Sequence, residues 1–418
     1  MRALVYGTTP EPWTPPAGAG RLARNLASTP CALQEVPDAA PLRPDWVVVR
    51  PTLAGICGSD AKQVLLDFEG DTDSALSGLC SFPQVLGHEV VGRVEALGPE
   101  ALGPEAGGVE VGQRVVLNPW LTCVPRGVAP VCPACEAGDL SLCWSFTTGT
   151  ISTGIHTGVA RDATGGFADL MPAHPAMLFA VPDALTDEQA VLADPFAVSL
   201  HSVTRHPPPA GGRALVWGAG ALGCTAVAIL RALHPDVEVG VVARFDAQAA
   251  LASRLGAHAV FRLGSQGEMV EQLAGWSGGT LIPTMDGLGG LPMCHPGGID
   301  VAYDTVGRPE TFEVEVRVLR ARGTLVKSGV HPPGRWEWSP LYFKEISWVG
   351  SNAFGIEEVD GVRRHGIAHH LDLVSSGRVD LTGMLTHTFG LSDWREAFLA
   401  LADQEASGAI KVAIDPAR

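Results

Sequence analysis

The sequence predicts an α/β protein of two modules, a β-barrel-like one followed along the chain by a doubly wound parallel sheet. Three observations carry that expectation. A chain of 418 residues and 43.7 kDa exceeds one ordinary core, so two domains are expected. Residues 1–120 alternate short β-like runs with Gly- and Pro-rich turns. From about residue 213 the pattern becomes strand, glycine turn, amphipathic helix and strand.

The elements follow in order. RALVYG, WVVVRPTLAG, EVVGRVEALG and RVVLNPW supply strands of the first module, and the duplicated ALGPEALGPEAG, ending at Gly107, reads as a surface loop. RALVWGAGALGCTAVAILRALHPDVEVGVVARF reads as a βαβ unit. Further parallel strands are expected in HAVF, IDVAYDTVG, GTLVKSG and ISWVGS, with GGTLIPTMDGLGGLPMCHP between them as a loop. Beyond residue 356, GVRRHGIAHHLDLVSSG reads as a helix, followed by strand, helix and the closing strand IKVAI.

Composition narrows the partners. A formal charge of −16 and a pI near 5.2 argue against nucleic acid and anionic membranes. The opening MRALVYGTTPEPWTPP breaks into Thr, Pro and Glu where a signal peptide would be apolar, and no apolar run is long enough to span a bilayer. A cytoplasmic, thiol-reducing setting is therefore expected. There, clustered cysteines bind metal more readily than they form disulfides. CVPRGVAPVCPACEAGDLSLC holds Cys123, Cys132, Cys135 and Cys143, with a C-x-x-C knuckle at its centre. Four thiolates in one loop suit a closed structural zinc site; a redox C-x-x-C pair or scattered core thiols are the alternatives. Cys31, Cys80, Cys224 and Cys294 show no such spacing.

Gly218-Ala219-Gly220-Ala-Leu222-Gly223 lies between the strand ALVW and an Ala/Leu/Ile-rich helix. In that context the first glycine makes a tight turn and the second admits a pyrophosphate. The third lets helix and strand pack closely, with the helix N-terminus facing the anion. The position that reads the ribose, at the end of the second strand, is Ala243 followed by Arg244. A small residue before a cation favours the 2′-phosphate of NADP over NAD; Asp246 is the alternative acid if the strand ends later. A second motif joins Gly55-Ile-Cys57-Gly-Ser59-Asp60 to Gly87-His88-Glu89. Cys and neutral His are zinc ligands, and two or three protein ligands with an open position describe a catalytic site. Asp194, in VLADPFAVSLHSV, is the candidate further ligand.

These motifs, with GHEVVGRVEALG, GGFADLMP, GGIDVAYDTVG and GAIKV in the same order, resemble the zinc-dependent medium-chain alcohol dehydrogenase/reductase family along nearly the whole chain. The resemblance implies a GroES-like β-barrel catalytic domain over 1–196, with a zinc lobe at about 120–146. A Rossmann domain over 197–350 is inserted in it, and 351–418 completes the catalytic domain. It implies Cys57, His88 and Asp194 as catalytic zinc ligands, with Glu89 a nearby acid able to bind the metal in place of water or substrate. Asp60 would fix the His88 tautomer, and Ser59 would touch the substrate oxygen and start a proton relay. The four clustered cysteines would hold a second zinc, giving two per chain. Implied chemistry is hydride transfer between NADP(H), alternatively NAD(H), and a small alcohol, aldehyde or ketone, with zinc as Lewis acid. Implied assembly is a dimer or tetramer through the Rossmann edge strand near 346–350.

The chain departs from the family pattern in places. VPRGVAPV lengthens the first gap of the cysteine lobe, and LLDFEGDTDSALSGLCSF enlarges the Cys57–His88 segment. Lys62 stands where relatives carry the histidine ending the relay; with a reference pKa of about 10.4 it accepts protons poorly at neutral pH. Trp120, Phe146, His156 and the 63–82 segment are candidates for the pocket wall. Reduction of an activated C=C bond and a non-enzymatic NADP(H) sensor are the other readings; a sensor has no need of zinc ligands beside a proton donor.

Overall fold

The computed structural model describes residues 1–67, 75–101, 108–285, 290–331 and 334–418. Half of the duplicated ALGPEALGPEAG loop and part of the 63–82 enlargement lie outside the described residues. The chain divides into two compact units.

The first unit comprises Met1–Asp194, Ile367–Ser375 and Leu385–Arg418. Its main sheet runs Leu385–Gly390, Lys411–Asp415, Val47–Gly55, Glu89–Leu97, Arg114–Leu117 and Leu178–Ala180, with Met171–Ala173 also pairing Val47–Gly55. A smaller sheet orders Cys31–Glu35, Arg2–Tyr6 and Gln84–Val85. The four expected N-terminal strands are all present. Their apolar residues enclose a core around Trp46, Leu86, Phe167, Trp394 and Phe398. Gly87, at φ +90°, leads into His88; a Cβ there would lie 2.6 Å from the Phe167 ring, so only glycine fits.

The second unit comprises Pro195–Gly366 and Ser376–Met384. Its six parallel strands are ordered Ala259–Arg262, Glu238–Ala243, Arg213–Trp217, Ile299–Asp304, Leu319–Lys327 and Ser347–Gly350. This is the doubly wound order, with the chain reversing direction beside Arg213–Trp217. Strands buried on both faces need continuous apolar runs, and ALVW and VGVVA supply them. Gly223 lets Ala221–Leu233 pack on the sheet, because a Cβ there would meet the Gly218 carbonyl oxygen at 1.9 Å.

Three expectations about this part of the chain need correcting. The Gly/Pro-rich insertion is not all loop: Leu281–Ile282 pairs antiparallel with Met293–Cys294. Residues 362–365 are not helical but form a strand, Val362–His365, paired with Ile356–Val359. Asp360 and Gly361 join these strands at φ 52° and 76°, the geometry of a type I′ hairpin that Asp-Gly favours, and the helix begins only at Gly366. The return to the first unit also comes later than residue 350, because the hairpin belongs to the second unit.

Glu357 is the anchor of that hairpin. It is buried, accepts from His201 Nδ1 at 2.6 Å and Thr204 Oγ1 at 2.8 Å, and also accepts from the Gly355 N–H. Burial pushes the Glu357 carboxyl up, but these donors outweigh it and hold it below the ordinary carboxylate range. A depressed pKa contributes stability present at neutral pH and lost as pH falls through the carboxylate range. Glu357→Ala is expected to cost about 3 kcal/mol, because it strands a buried donor set. Urea unfolding at pH 7 reads this, and a loss under about 0.5 kcal/mol would show that the hairpin is anchored otherwise.

Candidate active site and metal centres

In the first unit, sheet register assembles the site. Gly55 pairs with Glu89 on one side and with Ala413 on the other. The residues just past those strand ends, Cys57 and His88, therefore meet Glu89, and the ligand atoms of all three lie within 4.8 Å of one another. Cys57 caps the helix Gly58–Val64, and its N–H donates to Asp60 Oδ2 at 3.0 Å. Asp60 Oδ1 lies 3.7 Å from His88 Nδ1, both buried. Burial opposes a charged His88, yet Asp60 and Cys57 prevail and hold the imidazole well above its ordinary value. One half-buried sulfur with one buried imidazole and one buried carboxylate forms a donor set that fits zinc.

Asp194 is not part of this three-residue group. It is buried, and burial pushes its carboxyl up to about 7; His88 and Lys411 pull it down, while Glu89 and Asp60 push it further up. Lys411, almost fully buried, forms an ion pair with Glu89 Oε2 and donates to the Ile56 carbonyl at 3.0 Å. Sequence reasoning saw Lys411 only as part of the closing strand. The Ala413↔Gly55 pairing is what brings it beside Glu89.

Ser59 is exposed and Lys62 half-buried on the helix that Cys57 caps. Three residues expected on the pocket wall come together. Trp120 forms an isolated antiparallel bridge with His156, its ring 5.8 Å from that imidazole and 6.0 Å from Phe146. The His156 and His88 rings stand 4.5 Å apart. Because a carbonyl only accepts, the 2.7 Å contact from His156 Nδ1 to the Thr157 oxygen makes Nδ1 the donor and leaves Nε2 as an acceptor. Of the 63–82 segment, Ser81 Oγ donates to the Thr153 carbonyl at 2.7 Å, beside this wall.

The four lobe cysteines also converge within 4.8 Å, despite the long first gap. Cys143 Sγ stands 3.6 Å from Cys123 Sγ and 4.0 Å from Cys132 Sγ. A zinc tetrahedron with bonds of about 2.3 Å has edges of about 3.8 Å, so the thiols fit that ion. Backbone N–H groups of Cys132, Trp144 and Ser145 point at Cys123, Cys132 and Cys143 Sγ, as thiolates require. All nine cysteines are free thiols.

In the second unit, Gly218 adopts φ +97° in the turn that includes Ala219, and Gly220 caps Ala221–Leu233, whose first turn carries Leu222. The strand Glu238–Ala243 ends on a buried Ala243. Arg244 is exposed, its guanidinium 5.1 Å from the Phe245 ring centre. Arg262, which sequence reasoning passed over, is brought level with Ala243 by the parallel register. Its guanidinium donates to the Arg244 carbonyl at 2.9 Å and pairs with Asp246 at 3.0 Å. The acid nearest the strand end is thus already engaged by a cation.

The comparisons with known proteins agree with this architecture. Residues 43–183 match the alcohol dehydrogenase GroES-like domain, and 221–365 match the zinc-binding dehydrogenase domain. The chain is 25% identical over 375 residues to D-arabinitol dehydrogenase 1 of Uromyces fabae, covering 89% of this chain and 90% of that one. It is 25% identical to sorbitol dehydrogenase of Bacillus subtilis over 383 residues, covering 92% and 93%. The structure of 2R,3R-butanediol dehydrogenase from Bacillus subtilis superimposes with a TM-score of 0.71 at 21% identity over 99% of each chain. Neither C=C reduction nor a non-enzymatic role is favoured by these findings. No helix among the described residues is long and apolar enough to cross a membrane. The chain belongs to the zinc-dependent medium-chain alcohol dehydrogenase/reductase family and is an oxidoreductase that moves hydride between a nicotinamide cofactor and an alcohol or its carbonyl.

Proposed function

We propose that the protein is an NADP(H)-preferring dehydrogenase of alcohols bearing a neighbouring hydroxyl, with two zinc ions per chain. The convergence of Cys57, His88 and Glu89 ligand atoms within 4.8 Å is the observation that carries the catalytic centre. These three would hold the catalytic zinc, and Cys123, Cys132, Cys135 and Cys143 the structural one. Asp194, expected as the third ligand, interacts electrostatically with His88 and Glu89, and Glu89, expected as the exchangeable acid, is the carboxylate grouped with Cys57 and His88. When bound, zinc supplies Lewis acidity toward the substrate oxygen and the nicotinamide exchanges hydride.

The chain's own residues do the remaining work. Asp60 orients His88 and the Cys57 backbone at once. Lys411 holds Glu89 and limits the net charge of the site. Ser59, exposed on the same helix, exchanges the hydroxyl proton of the substrate with solvent, and Lys62 on that helix borders the relay. His156 Nε2 accepts a hydrogen bond from the second hydroxyl, which supports the diol or polyol reading alongside the arabinitol and sorbitol substrates in the names of two relatives. For the cofactor, Gly218, Ala219, Gly220, Leu222 and Gly223 would receive the pyrophosphate. Buried Ala243 flanked by Arg244 and Arg262 supports a 2′-phosphate over a free hydroxyl. The exposed edge strand Ser347–Gly350 supports a homo-oligomer, dimer or tetramer.

Metal analysis of the purified protein is expected to give two zincs per chain. Cys57→Ala should lose one and reduce turnover more than a thousandfold, while Cys135→Ala should lose the other. A single zinc in the native protein would remove the two-centre reading. In kcat/KM with NADP(H) and NAD(H) side by side, the phosphorylated cofactor should win by at least tenfold. Arg244→Ala with Arg262→Ala should erase that ratio without weakening NAD(H) use, whereas an NAD preference in the native enzyme discards the phosphate reading. Across a panel of alcohols, diols and polyols, His156→Ala should raise KM for diols about tenfold and leave simple alcohols unchanged, an effect of about 1.4 kcal/mol.

A further inference from the structure

Eight residues, VPRGVAPV, separate Cys123 from Cys132, and among them is an arginine with no exposed surface. A guanidinium has five N–H bonds, and every one from Arg126 meets a backbone carbonyl. Nε donates to Leu121 at 2.9 Å, Nη1 to Thr148 at 2.9 Å and Ile151 at 3.0 Å, and Nη2 to Ser152 at 3.1 Å and Gly154 at 2.6 Å. The backbone of the same residue closes the turn. Its N–H reaches the Thr122 carbonyl at 3.2 Å, its carbonyl accepts from Thr150 N–H at 3.1 Å, and Val128 N–H returns to the Cys123 carbonyl at 2.9 Å. The loop that carries the first cysteine is therefore wound around this side chain.

All five acceptors are neutral, so they satisfy the hydrogen bonds and leave a whole buried charge to be balanced. Four thiolates around a divalent ion carry two net negative charges. Burial pushes the Arg126 guanidinium down, while the Cys143 sulfur and Asp162 push it back toward its charged form. Asp162 is itself taken up by the Ser152 N–H at 2.8 Å and by Arg161.

We propose that Arg126 is a positioning residue for the four-cysteine zinc, holding the lengthened Cys123–Cys132 loop in its metal-binding shape and offsetting the charge of the tetrathiolate. The extra residues of the first gap are what bring this cation into the lobe. The inference rests on the reading of the four cysteines as a zinc site.

Zinc release to a chromogenic chelator tests it on the native enzyme, Arg126→Met, Arg126→Lys and Cys135→Ser. Cys135→Ser identifies the lobe zinc as the equivalent it lacks. Arg126→Met should release that equivalent at least tenfold faster than the native protein. Arg126→Lys should fall between, because it keeps the charge but only three N–H donors. Release from Arg126→Met at the native rate overturns the proposal. Equal release from the Lys and Met variants overturns its electrostatic half, since a purely mechanical brace is not rescued by charge. If Arg126→Met does not fold, Arg126→Lys decides alone: release about threefold faster or more supports the role, and unchanged release overturns it. Full zinc in Cys135→Ser would instead overturn the four-cysteine reading, and this proposal with it.

Discussion

One antiparallel register governs the catalytic chemistry of the first unit. Val47–Gly55 lies between Glu89–Leu97 and Lys411–Asp415, with Gly55 opposite both Glu89 and Ala413. Strand ends from three distant parts of the sequence therefore coincide, and the sulfur, imidazole, carboxylate and ammonium groups beside them lie together, all but the half-buried Cys57 buried. A slip of one residue in either pairing would turn every side chain of that strand to the opposite face. Gly87 protects the arrangement locally, since any side chain there would enter the Phe167 ring and displace the turn that leads into His88.

Burying this much charge requires partners for each group. Asp60 serves two of them, the Cys57 N–H and the His88 ring, and Lys411 serves Glu89 while its remaining hydrogen bond goes to Ile56. Asp194 is driven up to about 7 by burial, with His88 and Lys411 opposing and Glu89 and Asp60 adding to the shift. The cysteine lobe applies the same rule differently. Its cation is satisfied by carbonyls, and two of these, on Leu121 and Gly154, flank the Trp120–His156 bridge. The cysteine lobe and the Trp120–His156 pair are thus fastened by one side chain.

The second unit makes its binding surface from backbone. Glycine at 218 and 223 permits a turn and a helix–strand approach that any side chain would block, and Gly220 caps the helix Ala221–Leu233. At the end of the adjoining strand Ala243 contributes no acid, and arginines come from two neighbouring segments. Glu357, by contrast, has no part in that surface: it fastens the hairpin that precedes the return to the first unit.

Much of this was legible in the residues themselves. Glycine spacing, the C-x-x-C knuckle and paired strand patterns are local signals, set by φ/ψ limits and by the reach of one turn, so the parallel sheet, the lobe and the Cys57/His88 pairing could be read in order along the chain. The Asp360-Gly361 turn was equally local, but it was hidden by helix-like hydrophobic spacing on its far side. What depended on contacts between distant segments stayed out of reach: Lys411 against Glu89, Arg262 level with Ala243, and Arg126 at the centre of its lobe. Each rests on strand register or on burial of a charge, and neither has a signature in a few consecutive residues, because both arise only when separated stretches are packed together.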